Sequence, residues 1–127
     1  MKTIIDYKEL SQLTEGKFTF EYLSEDSIKV SGKIKLMMFE KEISTTLKVE
    51  KVGYSSITLS SSNSTLIQTG LMFMPSAVKN SVADLGGGVL RIDLKAIPEL
   101  FEVTKKLKLD SLKFEESEVI IEISPRP

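Results

Sequence analysis

Apolar and polar positions alternate along most of this chain, and the alternation predicts antiparallel β-strands. Phe18, Phe20 and Tyr22 share one face of the segment 17–23, with Thr19 and Glu21 between them. The same period of two recurs in residues 28–38, 43–50, 54–60, 89–94, 107–114 and 119–123. Together these segments predict about six to seven strands.

One stretch, residues 66–85, departs from this alternation and predicts a long helix. Six of its apolar residues are spaced 4, 3, 4, 4 and 3 apart, as on one stripe of an α-helix: Ile67, Leu71, Met74, Val78, Val82 and Leu85. Pro75 predicts a kink, because proline lacks a backbone donor and clashes with the preceding turn. Three glycines at 86–88 predict the end of this helix.

Two shorter helices are also indicated. Residues 3–13 have loose helical periodicity, and Pro98 is well placed at the first turn of a second helix. Gly32, in the middle of a predicted strand, suggests a bulge or bend that lets a sheet curve. The fold class predicted is therefore α+β, in one domain over residues 1–127. A curved antiparallel sheet of about six to seven strands would wrap one long kinked helix, with a short second helix beside it.

Composition excludes most catalytic chemistry. The 127 residues are 41% hydrophobic and 28% charged, and the formal net charge is −1, which argues against a nucleic-acid partner. Without Cys or His there is no thiolate, no Ser-His-Asp triad and no common zinc site. We therefore predict a non-enzymatic protein with no catalytic residue, no metal and no cofactor.

Targeting and charge patterns give weaker indications. The first ten residues hold no apolar run of signal-peptide length, and no run is long enough for a membrane helix, so we predict a cytoplasmic protein. Lysines at 29, 33 and 35 and at 105, 106 and 108 form two clusters that would suit an anionic membrane surface or simply a solvated face. A phosphate-binding loop needs glycines that lead into a helix, whereas the glycines at 86–88 follow the predicted helix.

The methionines suggest an apolar surface. Met37 and Met38 lie beside Phe39, at a strand end where both faces become apolar and which we expect to be covered. Met72 and Met74 lie beside Phe73 in the predicted helix. Methionine adapts to varied apolar partners, although an ordinary packed core is the alternative.

The order of elements over residues 66–123 resembles the tubular lipid-binding (TULIP) superfamily, and in particular its small bacterial members. The resemblance is carried by the helical stretch, by GGGVLRIDLKAIPELF and by the closing hairpin LKLDSLKFEESEVIIEI. It implies a curled sheet around a long helix, with an apolar groove for acyl chains.

The function predicted from these features is binding of an apolar small molecule, lipid or acyl chain between helix and sheet. The residues expected to line this groove are Met37, Phe39, Leu71, Met74, Val78 and Phe101. The alternative is a structural or protein–protein interaction module whose apolar surface forms a partner interface or a homo-oligomer.

Overall fold

A computed structural model of the chain describes residues 1–36, 38–62 and 79–127. Strands dominate these residues, joined by short helices and two 3₁₀ turns. The elements in chain order are β1 Lys2–Asp6, α1 Tyr7–Leu13, β2 Phe18–Ser24, β3 Ser27–Leu36, β4 Phe39–Val52, β5 Ser56–Ser61, β6 Val82–Gly86, β7 Val89–Asp93, the 3₁₀ turns Leu94–Ala96 and Pro98–Leu100, α2 Phe101–Lys106, β8 Leu107–Phe114 and β9 Glu118–Pro125.

The described strands form two antiparallel sheets. One has three strands in the order β1-β9-β8, and the other has six in the order β2-β3-β4-β5-β7-β6. Most neighbours in the larger sheet are consecutive in the chain, as expected where short turns join antiparallel strands.

A register shift between Leu109 and Ser111 marks a bulge in β8, which keeps Leu109, Leu112 and Phe114 on one face of the strand.

The core lies between β3 of the larger sheet and the β8–β9 hairpin of the smaller one. Its buried members are Ile28 and Val30 from β3, Phe114 from β8 and Val119 from β9. Partly buried residues surround them: Tyr7, Leu10, Phe18, Phe20, Tyr22, Leu47, Val49, Leu112 and Ile121. The faces predicted from alternation in β2, β3 and β9 are thus the ones that pack inward.

Backbone hydrogen bonds join the two sheets along the edge of β8. The Leu109 amide donates to the Tyr54 carbonyl and the Phe114 amide to the Glu25 carbonyl, both at 2.8 Å. Tyr54 lies between β4 and β5, and Glu25 in the β2–β3 turn. These loops satisfy donors that a strand edge would otherwise leave to solvent or to another chain.

Gly32 has a packing role rather than the predicted bulge. It is the register partner of Phe18, and β2–β3 pairing is regular at this point. A Cβ on Gly32 would lie 2.7 Å from two ring atoms of Phe18. The missing side chain therefore leaves room for the aromatic ring over the strand.

The predicted fold class is wrong. The described part of the chain is mostly sheet, divided between two sheets with the core between them, instead of one sheet wrapped around a long helix. Residues 66–78 of the predicted helix lie outside the described residues. Its last part is strand β6, because Val82–Gly86 pairs antiparallel with β7.

The physical reason is the conformation of residues 86–88. Gly86, Gly87 and Gly88 have φ values of 83°, 62° and 80°, which favour glycine and build the β6–β7 turn. Helical spacing at Val82 and Leu85 was therefore overridden by cross-strand pairing, as often happens where propensity is weak.

The shorter helices were predicted in part. Residues 3–13 divide into strand β1 and helix α1, where the Asp6 side chain caps α1 by accepting from the Glu9 amide at 2.7 Å. Pro98 begins a 3₁₀ turn that leads into α2, close to the helix start predicted for it. The strand and hairpin predicted over 107–123 are confirmed as β8 and β9.

Candidate functional site

The most distinctive surface feature is the end of the β3–β4 hairpin. Pairing of β2 with β3 stops at Gly32, and pairing of β5 with β4 stops at Leu47. Residues 33–36 and 38–42 continue as a two-stranded extension, which we call the arm, with no flanking strand among the described residues. At about 3.4 Å per residue, the arm extends about 13 Å beyond Gly32.

The sequence of the arm explains why it holds its hairpin form. Register pairs Lys33 with Glu42, so opposite charges lie at facing positions of the ladder. Such cross-strand pairs contribute roughly 0.2–1 kcal/mol each. An isolated two-stranded ribbon is marginal in water, so the arm also depends on its continuity with β3 and β4 in the sheet.

The tip of the arm exposes two large apolar side chains. Met38 is 91% exposed and Phe39 is 75% exposed, and the next three residues on β4 are exposed as well. Burying a side chain of this size is worth about 1.5–3 kcal/mol. Burial of the tip against a partner would therefore be favourable. Its exposure is contrary to the expectation that this strand end is covered.

Two of the six predicted groove residues lie within the described structure, and they belong to separate elements. Met37, Leu71, Met74 and Val78 lie outside the described residues. Of the remaining two, Phe39 lies at the arm tip, and Phe101 lies in α2, which packs against the 3₁₀ turns and β8. The predicted hydrophobic groove, and lipid binding within it, has no support there, because the sheets pack on each other and not around a helix.

Phe101 belongs to a local surface cluster instead. It is 46% exposed, and the Lys105 ammonium lies 4.2 Å from its ring centroid. Lys105 also pairs with Glu102 at 3.4 Å, while Lys108 pairs with Asp110 at 3.7 Å. Lys105 and Lys108 therefore have local partners, which reduces their availability to an anionic surface.

An open cavity of about 470 Å³ lies where the β8 bulge faces the β2–β3 turn. Its lining residues are Ser24, Glu25, Asp26, Val49, Val52, Asp110, Ser111, Leu112 and Lys113. The carboxylates are already engaged. Hydrogen bonds from Ser24 and Ser27 lower the pKa of Asp26, Glu25 pairs with Lys113 at 3.5 Å, and Asp110 accepts from Ser124 at 3.0 Å. Each of these three carboxylates therefore already has a hydrogen-bond or ion-pair partner.

A second aromatic cluster surrounds Tyr54. The Lys108 ammonium lies 5.3 Å and the Arg126 guanidinium 5.7 Å from its ring centroid. Arg126 also donates from Nε to the Leu107 carbonyl at 3.4 Å. Because the cations come from the smaller sheet and the ring from a loop of the larger one, this cluster connects the two sheets.

No metal-binding group of acidic side chains is found among the described residues. Within the same part of the chain, no helix has the length and apolar character needed to cross a membrane. Among the described residues, the surface thus offers an apolar projection, an open cavity lined by polar and apolar side chains, and a cation–aromatic cluster between the sheets.

Comparisons with protein-family models, with curated proteins and with solved structures find no match to this chain. The resemblance to the tubular lipid-binding superfamily stays a prediction, and the functional argument rests on the chain's own geometry.

Sequence reasoning identified the apolar character of the arm tip but misplaced it. Met38 and Phe39 were noted beside Met37, where both strand faces become apolar. The signal for exposure was the charged sequence around them, KIKLMMFEKE, in which opposite charges flank an apolar centre symmetrically. That symmetry is typical of a solvated hairpin.

Proposed function

We propose that this chain is a non-enzymatic protein-interaction module that docks through the tip of its arm. The observation that carries the proposal is the exposure of Met38 and Phe39 at the end of a hairpin that extends beyond the neighbouring strands β2 and β5. Large apolar side chains on a projection suit insertion into a cleft of a partner protein, where an aromatic anchor fills a pocket.

The chemistry of the tip indicates the kind of partner. Phe and Met are enriched at the cores of protein interfaces, and Met adapts its shape to the cleft it enters. Glu40 and Lys41 directly follow the apolar pair, so the complementary surface would have an apolar pocket with a polar rim of mixed charge. Mixed charge at the rim favours orientation and specificity more than affinity.

The test begins with a photo-reactive phenylalanine analogue in place of Phe39, expressed in the source cells. A matched control carries the analogue at Lys51, an exposed position at the other end of β4. We expect a discrete cross-linked protein from position 39 that is missing from position 51. Equal labelling from both positions would contradict the proposal.

The cross-linked protein is then purified and its binding measured by calorimetry against wild type, Phe39→Ser and Lys51→Ser. Loss of an anchor side chain typically weakens binding by about 2 kcal/mol, or roughly thirtyfold in Kd. Because Phe39 is exposed, its replacement should leave the free energy of unfolding within about 0.5 kcal/mol of wild type. Unchanged affinity for Phe39→Ser would refute the role of the tip.

A further inference from the structure

The outer edge of β1 is open in the described structure. β1 lies at the end of the three-stranded sheet, and β9 is the one described strand that pairs with it. The other edge of that sheet, β8, is occupied by hydrogen bonds from the loops at Tyr54 and Glu25. Of the two edges of the small sheet, only β1 therefore has a row of backbone groups without described partners.

The direction of these backbone groups follows from the ladder. Met1 and Ile123 exchange hydrogen bonds of 2.8 and 2.9 Å, and the Tyr7 amide donates to the Ser117 carbonyl. Hydrogen-bonded positions alternate in an antiparallel pair. Odd-numbered residues of β1 thus point their amides and carbonyls at β9, and those of Lys2, Ile4 and Asp6 point outward.

The sequence of β1, KTIID, is complementary to itself in one antiparallel register. If Ile4 faces Ile4 of a second copy across a twofold axis, Lys2 of each copy faces Asp6 of the other. All of the outward-pointing residues then meet as hydrogen-bonded pairs. A shift of the register in either direction loses these charge pairs, so electrostatics select this alignment.

The side chains at this edge are accessible. Lys2 and Thr3 are exposed, and Ile4 is 48% exposed although its register partner Ile120 is buried. Pairing two copies would place Ile4 beside its equivalent and extend the apolar row that begins at Ile120. An isologous contact of this kind is the usual basis of a homodimer.

We infer that two copies of this chain associate through β1, in the register that pairs Lys2 with Asp6. The product is one continuous six-stranded sheet in the order β8-β9-β1-β1-β9-β8, with an arm on each copy. A five-residue edge buries less surface than the roughly 1,600 Å² of a standard interface, so the dimer is weak and depends on concentration. The inference is independent of the proposed role of the arm tip.

The test is sedimentation equilibrium of wild type and edge variants over a wide concentration range. Ile4→Pro removes an outward amide that no described residue accepts from, and proline is tolerated at such edge positions. We expect wild type to dimerise and Ile4→Pro to remain monomeric. Phe39→Ser serves as the matched control and should dimerise like wild type.

Charge variants test the register. Lys2→Glu places like charges opposite each other and should weaken dimerisation about tenfold. Asp6→Lys should do the same. An equimolar mixture of the two variants should form a heterodimer, because the new carboxylate at position 2 of one copy then faces the new ammonium at position 6 of the other. If loss of the Asp6 cap unfolds that variant, Asp6→Asn preserves the cap and still removes the charge pairs.

The inference would be overturned by a wild type that is monomeric at every concentration, by a dimer that Ile4→Pro leaves intact, or by a dimer that the charge variants leave unchanged. Loss of dimerisation in Phe39→Ser alone would assign self-association to the arm tip and would also refute the inference. Circular dichroism of each variant confirms that the monomers are folded.

Discussion

At the scale of single residues, Tyr7 shows how one side chain can fasten two parts of the chain. It is the first residue of α1, and its hydroxyl donates to the Glu115 carbonyl in the β8–β9 turn at 2.5 Å. Its amide donates to the Ser117 carbonyl in the same turn. Tyr7 thereby fixes the start of the helix against the hairpin that closes the core.

This contact predicts a specific response to alkaline pH. Burial, and to a smaller extent Tyr22, Glu115 and Glu118, raise the pKa of Tyr7 above its ordinary value. A raised native pKa means that the contribution of Tyr7 is complete below the unfolded pKa of about 10 and is lost as pH rises through the native pKa. We expect the stability of wild type to fall more steeply than that of Tyr7→Phe between about pH 9 and about pH 11.

The measurement is urea unfolding of both proteins across that pH range. At neutral pH, Tyr7→Phe should be less stable by about 0.5–1.5 kcal/mol, the net worth of one hydrogen bond. Tyr54→Phe provides the control, because it removes a tyrosine and leaves Tyr7 in place. Parallel pH profiles for wild type and Tyr7→Phe would show that Tyr7 does not contribute in this way.

At the scale of elements, the β6–β7 hairpin is held by its glycine turn and by the docking of that turn on β5. The Ser61 amide donates to the Gly88 carbonyl at 2.7 Å. A Cβ on Gly88 would lie 2.6 Å from the Ser61 carbonyl oxygen, whereas one on Gly87 would meet no atom within 4 Å. The two positions share a positive φ but differ in the space around them.

We predict that Gly88→Ala destabilises the protein more than Gly87→Ala does. Each alanine must adopt a left-handed conformation, at a cost of about 1–2 kcal/mol. Gly88→Ala also forces the turn away from β5, which adds roughly 1–3 kcal/mol. Thermal or urea unfolding of both variants gives the comparison, and equal losses would mean that the turn does not rest on Ser61.

At the scale of the whole molecule, two sheets of unequal size are joined at one edge, and the cluster at Tyr54 strengthens the joint. The Tyr54 carbonyl accepts a hydrogen bond from the Leu109 amide, while Lys108 and Arg126 lie beside the Tyr54 ring. A cation beside an exposed aromatic ring contributes about 0.5–1 kcal/mol. The joint therefore combines a backbone hydrogen bond with attraction between the ring and both cations.

We predict that Tyr54→Leu lowers the free energy of unfolding by about 1 kcal/mol, because it keeps an apolar side chain but removes the π-face. Tyr54→Phe keeps the face and should stay within about 0.5 kcal/mol of wild type. Urea unfolding distinguishes the two variants. Losses of similar size would indicate that the hydroxyl or the packed volume matters instead of the ring face.

Much of the strand content could be predicted from local pattern. Alternation in β2, β3 and β9 identified Phe20, Val30 and Val119 as inward-facing, and the structure places them in or against the core. The sequence also indicates the bulge in β8, because Leu109 and Leu112 are both apolar yet lie an odd number of residues apart. These inferences succeed because a period of two is a property of consecutive residues and persists whichever strand lies alongside.

The candidate site could be predicted only in its apolar character. Phe39 was expected to line a groove beside Phe101, yet it lies at the tip of the arm while Phe101 lies on α2. Exposure of the tip depends on where β2 and β5 stop pairing, at Gly32 and Leu47. No segment of the arm itself contains that information.

Residue type and near neighbours are enough to assign the apolar faces of β2, β3 and β9 and to exclude His and Cys chemistry. The folded chain is needed to show that Val82–Gly86 is a strand, that the described strands divide into two sheets, and that β1 has an open edge among them. A helical stripe and a strand can share the same apolar residues, and the partner that pairs with the backbone selects between them. That partner is β7, which is itself held in the larger sheet by pairing with β5.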